Sequence, residues 1–404
     1  MAKNQHPLLV FIFVITLLHC CQSQSPESKG FRLKLDRRDS HDHPFPDTIR
    51  PPITRSSYLF TIDATIGTPA TKKTFIFDTG SSLVWTQCKP CIRCFKQDYP
   101  LFDPKQSSSY QKLPPNHVLA RFFKRSSNGS GDFLFNMTYE SGQSSSGIAA
   151  VETLTFAAPK NGRESIQGFV FGCTNNYQGD FSGNSLVTGI MGMNRSPLSL
   201  IGQMEAKAAR RFSYCLPTLN SPIKSTFLRF GSDVNVKWGF QKTSFLNSGN
   251  DYSVKLVDIS VAGRRLNLPG GTFSKGCILD VGSAASMLEM GAYTPVLNAV
   301  KQHLDRFNLT RVRSDSTSEG DLCYRLKPGF KNYTSMTLHF QGAKLEIGPD
   351  NLFRTISDRF CLALFGSSRL TLLGAYQQQN VRLVYDVGNQ KLLFGKEDCS
   401  KDRA

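Results

Sequence analysis

The chain has 404 residues, of which 40% are hydrophobic and 20% are charged. This content is enough for the cores of two or three domains and excludes a chain that is disordered throughout. The net charge of +17 suits a polyanion, such as nucleic acid or an acidic polysaccharide. Nucleic acid is not expected as a partner, because the sequence has no zinc-finger spacing, recognition-helix signature or RNP-type aromatic motif.

The first segment has the pattern of an export signal. Lys3 precedes an apolar run at residues 8–21, and small or polar residues follow at 22–25. Fourteen apolar residues are too few to span a membrane comfortably, so we predict a signal peptide at 1–24 and a secreted protein. The polar C-terminus gives no sign of a lipid anchor. Residues 25–55 are polar and Pro-rich, which indicates a short prosegment or an extended lead-in, with a disordered lead-in as the alternative.

From residue 58 onward, short segments rich in Val, Ile, Phe and Thr recur between turn residues, as expected for strands. They lie at residues 58–66, 73–77, 167–171, 227–230, 252–261, 336–340, 360–364, 381–385 and 391–394. The best helical pattern covers residues 292–307. The sequence therefore predicts a mostly-β, all-β class of fold with few helices.

One motif occurs twice, about half the chain apart. Residues 75–81 read FIFDTGS and residues 277–283 read CILDVGS. A Gly-Ile-Met-Gly segment at 189–192 follows the first copy, and Leu-Leu-Gly at 372–374 follows the second. Such repetition predicts two similar lobes, which we place at residues 56–240 and 241–404.

The repeated motif places an aspartate at a tight turn after an apolar strand. Gly allows close backbone approach there, and backbone N–H groups and a Ser hydroxyl can orient the carboxylate. If the two loops meet, Asp78 and Asp280 cannot both ionise easily and share a proton over the acid range. The ionised member accepts a proton from water while the other donates to a carbonyl, which hydrolyses an amide without metal or cofactor. Singly, either motif is an ordinary turn.

Longer stretches carry a resemblance. FDTGSSLVWTQCKPCIRC, FDPKQSSSY, GIMGMNRSPLSL, FSYCL and LLGAYQQQNVRLVYDVGNQKLLF resemble the plant nepenthesin-like branch of pepsin-type aspartic proteases, over about residues 58–399. The resemblance implies a bilobal pepsin-like fold with a cleft between two pseudo-two-fold related lobes. It also implies a monomeric endopeptidase that acts on proteins or peptides at acid pH in the apoplast or cell wall.

The resemblance assigns roles to individual residues. It makes Asp78 and Asp280 the catalytic dyad, and it makes Tyr139 the tyrosine of a flap over the cleft, with Trp85 as its partner. Without the resemblance, Tyr139 and Trp85 would be interpreted as packing residues. The residues that it implies support the dyad are Thr79, Gly80, Ser81, Gly282 and Ser283.

Of eleven cysteines, two leave with the signal peptide, and an exported chain is expected to pair the others. C-x-x-C-x-x-C at 88–94 also resembles part of an iron–sulfur ligand run, which export makes unsuitable. The family resemblance implies Cys88–Cys91, Cys94–Cys173, Cys215–Cys399 and Cys323–Cys361, with Cys277 as a free thiol or a small buried hydrophobe. Five N-x-S/T sites are candidate glycan acceptors: Asn128, Asn136, Asn194, Asn308 and Asn332.

Three features depart from the family pattern. Val281 stands where Thr or Ser is usual, so one hydroxyl that would link the two loops is missing. The flap reads Tyr-Glu-Ser-Gly-Gln in place of Tyr-Gly-Asp-Gly-Ser, and residues 107–132 lack four usual cysteines. These departures keep an alternative open, a catalytically impaired protein that binds or inhibits in the plant cell wall. The net charge also suggests retention by anionic wall polysaccharide.

Overall fold

The computed structural model describes residues 31–37, 59–158, 162–179, 181, 185–204, 208–219, 221–222, 225–313 and 322–402. The signal peptide and most of the lead-in lie outside the described residues. The prediction of a mostly-β chain is confirmed. The first half holds β1 Phe31–Arg37, β2 Phe60–Ile66, β3 Thr71–Asp78, β4 Trp85–Gln87, β5 Gln111–Lys112, β6 Lys124–Arg125, β7 Phe133–Thr138, β8 Ser144–Ala158, β9 Gly162–Gln178, β10 Gly189–Gly192, α1 Leu200–Gln203, β11 Arg211–Cys215 and β12 Ser225–Phe230.

The second half holds sixteen of the described strands and two short or medium helices. They are β13 Gln241–Ser244, β14 Ser253–Val254, β15 Leu256–Val261, β16 Arg264–Arg265, β17 Cys277–Leu279, β18 Ser286–Glu289, α2 Met290–Leu304, β19 Arg311–Val312, β20 Cys323–Arg325, β21 Met336–Phe340, β22 Ala343–Ile347, α3 Pro349–Leu352, β23 Phe353–Ile356, β24 Arg359–Leu362, β25 Leu364–Ser367, β26 Thr371–Leu373, β27 Val381–Asp386 and β28 Lys391–Lys396.

One fifteen-stranded sheet connects both halves of the chain. Its order is β13-β28-β27-β11-β12-β1-β2-β3-β10-β4-β9-β8-β7-β6, with β5 beside β8. Strands β13, β27 and β28 of the second half therefore extend a sheet that the first half begins. Strand β1 comes from the predicted lead-in and lies between β12 and β2. The lobe boundary at residue 240 stays a prediction.

Three smaller sheets, of five, four and four strands, belong to the second half. Helix α2 corresponds to the predicted helix and buries one face, including Val296 and Val300. The main apolar core is continuous between the halves, since Phe77, Phe212 and Leu279 belong to one cluster of buried residues. Among the described residues, no helix is long and apolar enough to cross a membrane.

The four disulfides correct part of the predicted pairing. Cys215–Cys399 and Cys323–Cys361 form as the resemblance implies, and Cys277 is free and buried. The other two are exchanged: Cys88 bonds to Cys173 and Cys91 bonds to Cys94.

The β4–β9 pairing explains the exchange. The parallel register places Thr86 opposite Cys173, and the N–H of Cys88 donates to Thr174 O at 2.8 Å. Cys88 therefore leaves the strand next to Cys173, with 5.4 Å between their Cα atoms.

Four of the five candidate glycan acceptors are exposed, namely Asn128, Asn136, Asn308 and Asn332. Asn194 is the exception, because only 3% of it is exposed and its Nδ2 donates to Ser82 Oγ at 3.0 Å. Its Oδ1 accepts the N–H of Ser196. A glycan on Asn194 is incompatible with this packing, so that prediction is wrong for the folded chain.

Candidate active site

The first aspartate loop follows β3. Strand β3 runs parallel to β10, with Asp78 opposite Gly192, so Asp78 stands at the end of a buried strand. Its Oδ1 accepts the N–H of Gly80 at 2.8 Å, and its Oδ2 accepts the hydroxyl of Ser81. Only 6% of Asp78 is exposed. These donors fix the orientation of the carboxyl group, as the sequence motif predicts.

The second loop repeats this arrangement after β17. Strand β17 runs parallel to β26, and Asp280 follows it. Its Oδ1 accepts the N–H of Gly282 at 2.8 Å, and its Oδ2 accepts the hydroxyl of Ser283 at 2.6 Å. Both carboxyl groups therefore have the same kinds of donor, at the same spacing in the chain.

The two glycines show how closely the loops approach. A Cβ atom on Gly80 would lie 2.7 Å from Cγ of Asp280, and one on Gly282 would lie 2.3 Å from Oδ1 of Asp78. Each carboxyl group thus lies over the glycine of the opposite loop, where any side chain would collide. The fold brings Asp78 and Asp280 together.

Electrostatics follow from this contact. Burial, followed by the charge of Asp280, raises the pKa of Asp78 well above its ordinary value of 3.8, and the hydrogen bonds from Ser81 and Gly80 act against the rise. This burial and repulsion favour the protonated form of Asp78.

Thr79 links the two loops. Its hydroxyl donates to Leu279 O at 3.0 Å and accepts the N–H of Val281 at 3.0 Å. Val281 is fully buried in the equivalent place of the second loop and has no hydroxyl to return such bonds. Only the first loop therefore contributes a hydroxyl to the cross-link, as the sequence predicts from Val281.

The β7–β8 hairpin carries Tyr139 at its turn. The N–H of Tyr139 donates to Gln143 O, and the N–H of Gly142 donates back to Tyr139 O, both at 2.8 Å. The Trp85 indole N–H donates to the Tyr139 hydroxyl at 2.6 Å. The charge of Asp78 contributes to raising the pKa of Tyr139, after the larger effect of burial. The hairpin tip therefore lies near the dyad.

Comparisons with known proteins agree with this geometry. A family model described as "Xylanase inhibitor N-terminal" matches residues 60–232, and "Xylanase inhibitor C-terminal" matches residues 251–396. Aspartic proteinase nepenthesin-1 of Nepenthes gracilis is 33% identical over 354 residues, which cover 84% of this chain and 78% of the relative. Nepenthesin-2 of the same plant is 30% identical, over 87% of this chain and 80% of the relative. The chain belongs to the nepenthesin-like plant aspartic protease family.

Solved structures agree with a pepsin-like bilobal fold. Basic 7S globulin from soybean superposes with a TM-score of 0.73 at 16% identity, over 93% of this chain and 99% of that one. The structure described as edgp gives a TM-score of 0.69 at 16% identity, over 93% and 98%. At this identity the likeness concerns the fold alone, and the sequence prediction of that fold is confirmed.

The hairpin tip of this nepenthesin-like chain carries an ion pair with the second half of the chain. Glu140 pairs with Arg369, which lies between β25 and β26 in the second half. Both residues line a cavity of about 370 Å³ together with Asp251, Lys275 and Ile278, among others. Ile278 lies two residues before Asp280, so this cavity adjoins the second aspartate loop. Burial, and then the charge of Asp280, raises the pKa of Asp251.

Glu140, Arg369 and Asp251 were not predicted as site residues from the sequence. Of the three, only Glu140 differs from a motif of the family, because a charged side chain stands there in place of the usual glycine of the flap. Arg369 and Asp251 have no motif, and only the fold brings them to the cleft.

Proposed function

We propose that this chain is a secreted endopeptidase that cleaves peptide bonds at acid pH through Asp78 and Asp280. The observation that carries the proposal is the reciprocal contact of two carboxyl groups, each over the glycine of the opposite loop. Two carboxyl groups this close share one proton between them over the acid range. Membership of an aspartic protease family supports the same chemistry.

In the proposed mechanism, the ionised aspartate takes a proton from a water molecule, and that water attacks the substrate carbonyl carbon. The protonated aspartate donates its proton to the carbonyl oxygen, which gives a tetrahedral diol. The aspartate that took the water proton then gives it to the amide nitrogen, a diol hydroxyl returns its proton to the other aspartate, and the C–N bond breaks to release an amine and a carboxylic acid. The donors around each carboxyl group, including Ser81 and Ser283, hold the reacting oxygens in place. The tip of the β7–β8 hairpin covers the substrate, with Tyr139 held by Trp85.

The direct test is digestion of denatured globin at pH 3–5 by the processed protein. We expect fragments from the natural chain and none from Asp78→Asn or Asp280→Asn, because either change removes one of the two proton-transfer groups. Asp98→Asn, at an exposed aspartate, is the matched control and keeps full activity. Equal digestion by the natural chain and the dyad variants would overturn the proposal.

Val281 favours a second candidate function, an impaired relative that binds or inhibits another protein. The matched family models, described as xylanase inhibitor domains, support the same alternative. The discriminating variant is Val281→Thr, which restores a second hydroxyl between the loops. A sharp rise in globin digestion identifies the natural chain as a weakened enzyme, whereas the absence of digestion in both proteins favours the binder.

The proposed location is the plant apoplast or cell wall, as a monomeric glycoprotein. The predicted signal peptide, the four disulfides and the exposed N-x-S/T sites support export. The net charge of +17 supports weak retention by anionic wall polysaccharide, which salt should reverse. Passage through a pectate column at low salt without delay would contradict that retention.

A further inference from the structure

Gln377 is a buried amide side chain beside the second aspartate loop, and it has no place in the mechanism above. It lies in the short turn after β26, and only 1% of it is exposed. Its Oε1 accepts two hydrogen bonds from Ser286, one from the N–H at 3.0 Å and one from the hydroxyl at 2.7 Å. Its Nε2 donates to Asn351 O and to Ala363 O, both at 2.9 Å. The amide therefore uses both of its donors and both of its acceptor positions.

Ser286 connects this amide to the end of β26. It is the first residue of β18, which follows the second aspartate loop, and it is buried. Its hydroxyl gives its one proton to Gln377 and accepts the N–H of Gly374 at 2.9 Å. Gly374 follows Leu373, whose carbonyl oxygen accepts the N–H of Asp280 at 3.1 Å. The aspartate loop and the turn after β26 are thus joined at both of their ends.

Two further backbone hydrogen bonds lie between these ends. The N–H of Ala375 donates to Ser283 O at 2.8 Å, and the N–H of Tyr376 donates to Ala284 O at 3.0 Å. Ser283 is the residue whose hydroxyl donates to Oδ2 of Asp280. The position of that hydroxyl therefore depends on how the turn lies against the loop.

The donor side of Gln377 fixes the turn to an outer part of the second half. Asn351 belongs to α3, and Ala363 connects β24 to β25. One side chain thus ties both of these segments to the aspartate loop. These ties matter in this chain because Val281 has no hydroxyl to return the bonds that Thr79 makes from the first loop.

We propose that Gln377 is a positioning residue, which acts through Ser286 to hold the second aspartate loop so that the Ser283 hydroxyl stays on Asp280. This role rests on the proposed proteolytic function of the same site. It predicts a loss of cleavage rate in a chain that is still folded. A glutamine with a purely structural role would change stability and leave the rate of the folded protein unaltered.

The experiment begins with Gln377→Leu, which keeps the approximate size of the side chain and removes its four hydrogen bonds. We expect kcat for peptide cleavage to fall about tenfold with KM little changed, because a small displacement of a reacting carboxyl group slows the chemical step. Gln377→Glu is the conservative variant. At the acid pH of the assay a buried carboxyl group stays protonated, so it keeps an acceptor for Ser286 and one donor, and it should retain most of kcat.

The matched control is Gln203→Leu. Gln203 ends α1, and its amide also bonds to backbone groups: Nε2 donates to Val170 O at 2.8 Å and to Leu198 O at 3.0 Å, and Oε1 accepts the N–H of Val170 at 2.7 Å. This variant should lose stability and keep its kcat when both are measured well below its Tm. Equal loss of kcat in Gln203→Leu and Gln377→Leu would overturn the inference.

Ser286→Ala provides a second route to the same contact should Gln377→Leu fold poorly. It removes the hydroxyl that bridges Gln377 and Gly374, so its kcat should also fall. If the two side chains act as one unit, the double variant should lose little more kcat than the slower single variant. Losses that multiply would contradict the shared role.

A readout independent of activity separates this inference from the proposed function. The N–H of Ser286 donates to Gln377, so hydrogen–deuterium exchange of residues 280–286 should be faster in Gln377→Leu and unchanged in Gln203→Leu. If no variant cleaves peptides but exchange responds in this way, the proposed function fails and the hold of Gln377 on the loop stands. If the natural chain cleaves peptides and exchange is unaffected, the positioning role fails.

Discussion

At the scale of single residues, the site depends on small groups that permit close approach. Gly80 and Gly282 leave room for the carboxyl group of the opposite loop, and Ser81 and Ser283 donate to the outer oxygens. The arrangement places two acidic groups in a buried space. This proximity suits proton transfer but destabilises the folded chain whenever both groups are ionised.

This destabilisation of the folded chain predicts a pH-dependent difference in stability between the natural chain and Asp78→Asn. The pKa of Asp78 is raised above its ordinary value of 3.8 on folding, so the folded state binds more protons than the unfolded state above that pH. The contribution of Asp78 to the stability of the natural chain therefore falls as pH rises from about 4 toward neutrality. Asn carries no charge, so the Tm of the variant minus that of the natural chain should increase over this range.

Thermal unfolding at pH 4, 5, 6 and 7 checks this prediction, with Asp98→Asn as the control at an exposed position. The control should follow the natural chain at every pH. A constant difference in Tm between Asp78→Asn and the natural chain would show that the pKa of Asp78 is not raised.

At the scale of elements, the β7–β8 hairpin connects the two halves over the cleft. The ion pair between Glu140 and Arg369 holds its tip toward the second half. Both side chains are more than half exposed, and such pairs contribute less than about 1 kcal/mol. We therefore expect the pair to hold the hairpin tip only weakly.

Neutralising either partner should raise KM about two- to fourfold with little effect on kcat, because a looser tip retains substrate less well. Arg369→Gln and Glu140→Gln should behave alike, and the exchange of the two charges in one double variant should restore KM.

Added salt should raise KM of the natural chain more than that of either variant. Peptide kinetics at low and high salt test this, and Arg264→Gln, at an exposed arginine, is the control. The same salt response in the natural chain and in both single variants of the pair would contradict the role.

The elements also show what the sequence can predict. The aspartate loops follow from the repeated motif, since hydrogen bonds within five residues determine their shape. The flap contact between Tyr139 and Trp85 follows only from the resemblance. The pairing of Cys88 with Cys173 was not predicted, because the pairing of β4 with β9 decides which cysteine lies beside Cys173. No local sequence pattern encodes that strand pairing. Arg369 reaches Glu140 across 229 residues, which no periodicity can reveal.

At the scale of the whole molecule, the large sheet and an ion network join the start, middle and end of the chain. Arg229 of β12 pairs with Asp402 at 2.7 Å and with Asp233 at 3.2 Å. Arg382 of β27 pairs with the same Asp402 at 2.9 Å, and Arg32 of β1 pairs with Asp233. The first described strand and the C-terminal segment thus hold the strands that link the two halves.

This arrangement predicts that β1 stays part of the folded protein, although the sequence places it in a lead-in that could be removed. Strand β1 pairs with β12 from Phe31 opposite Phe230 to Asp36 opposite Ser225, and with β2 on its other side. A chain that begins at residue 56 loses these hydrogen bonds and exposes two strand edges. Its Tm should be about 5 °C or more below that of a chain that begins at residue 26.

A chain that begins at residue 31 is the matched control, because it keeps the whole of β1 and loses only the residues before it. Its Tm should equal that of the longer chain, and both should stay soluble at concentrations where the chain from residue 56 aggregates. Adding a synthetic peptide of residues 31–37 should raise the Tm of the shortest chain as it refills the gap between β12 and β2. Equal Tm values for all three chains would mean that β1 contributes nothing to the sheet, and N-terminal sequencing of the secreted protein would then be expected to begin after it.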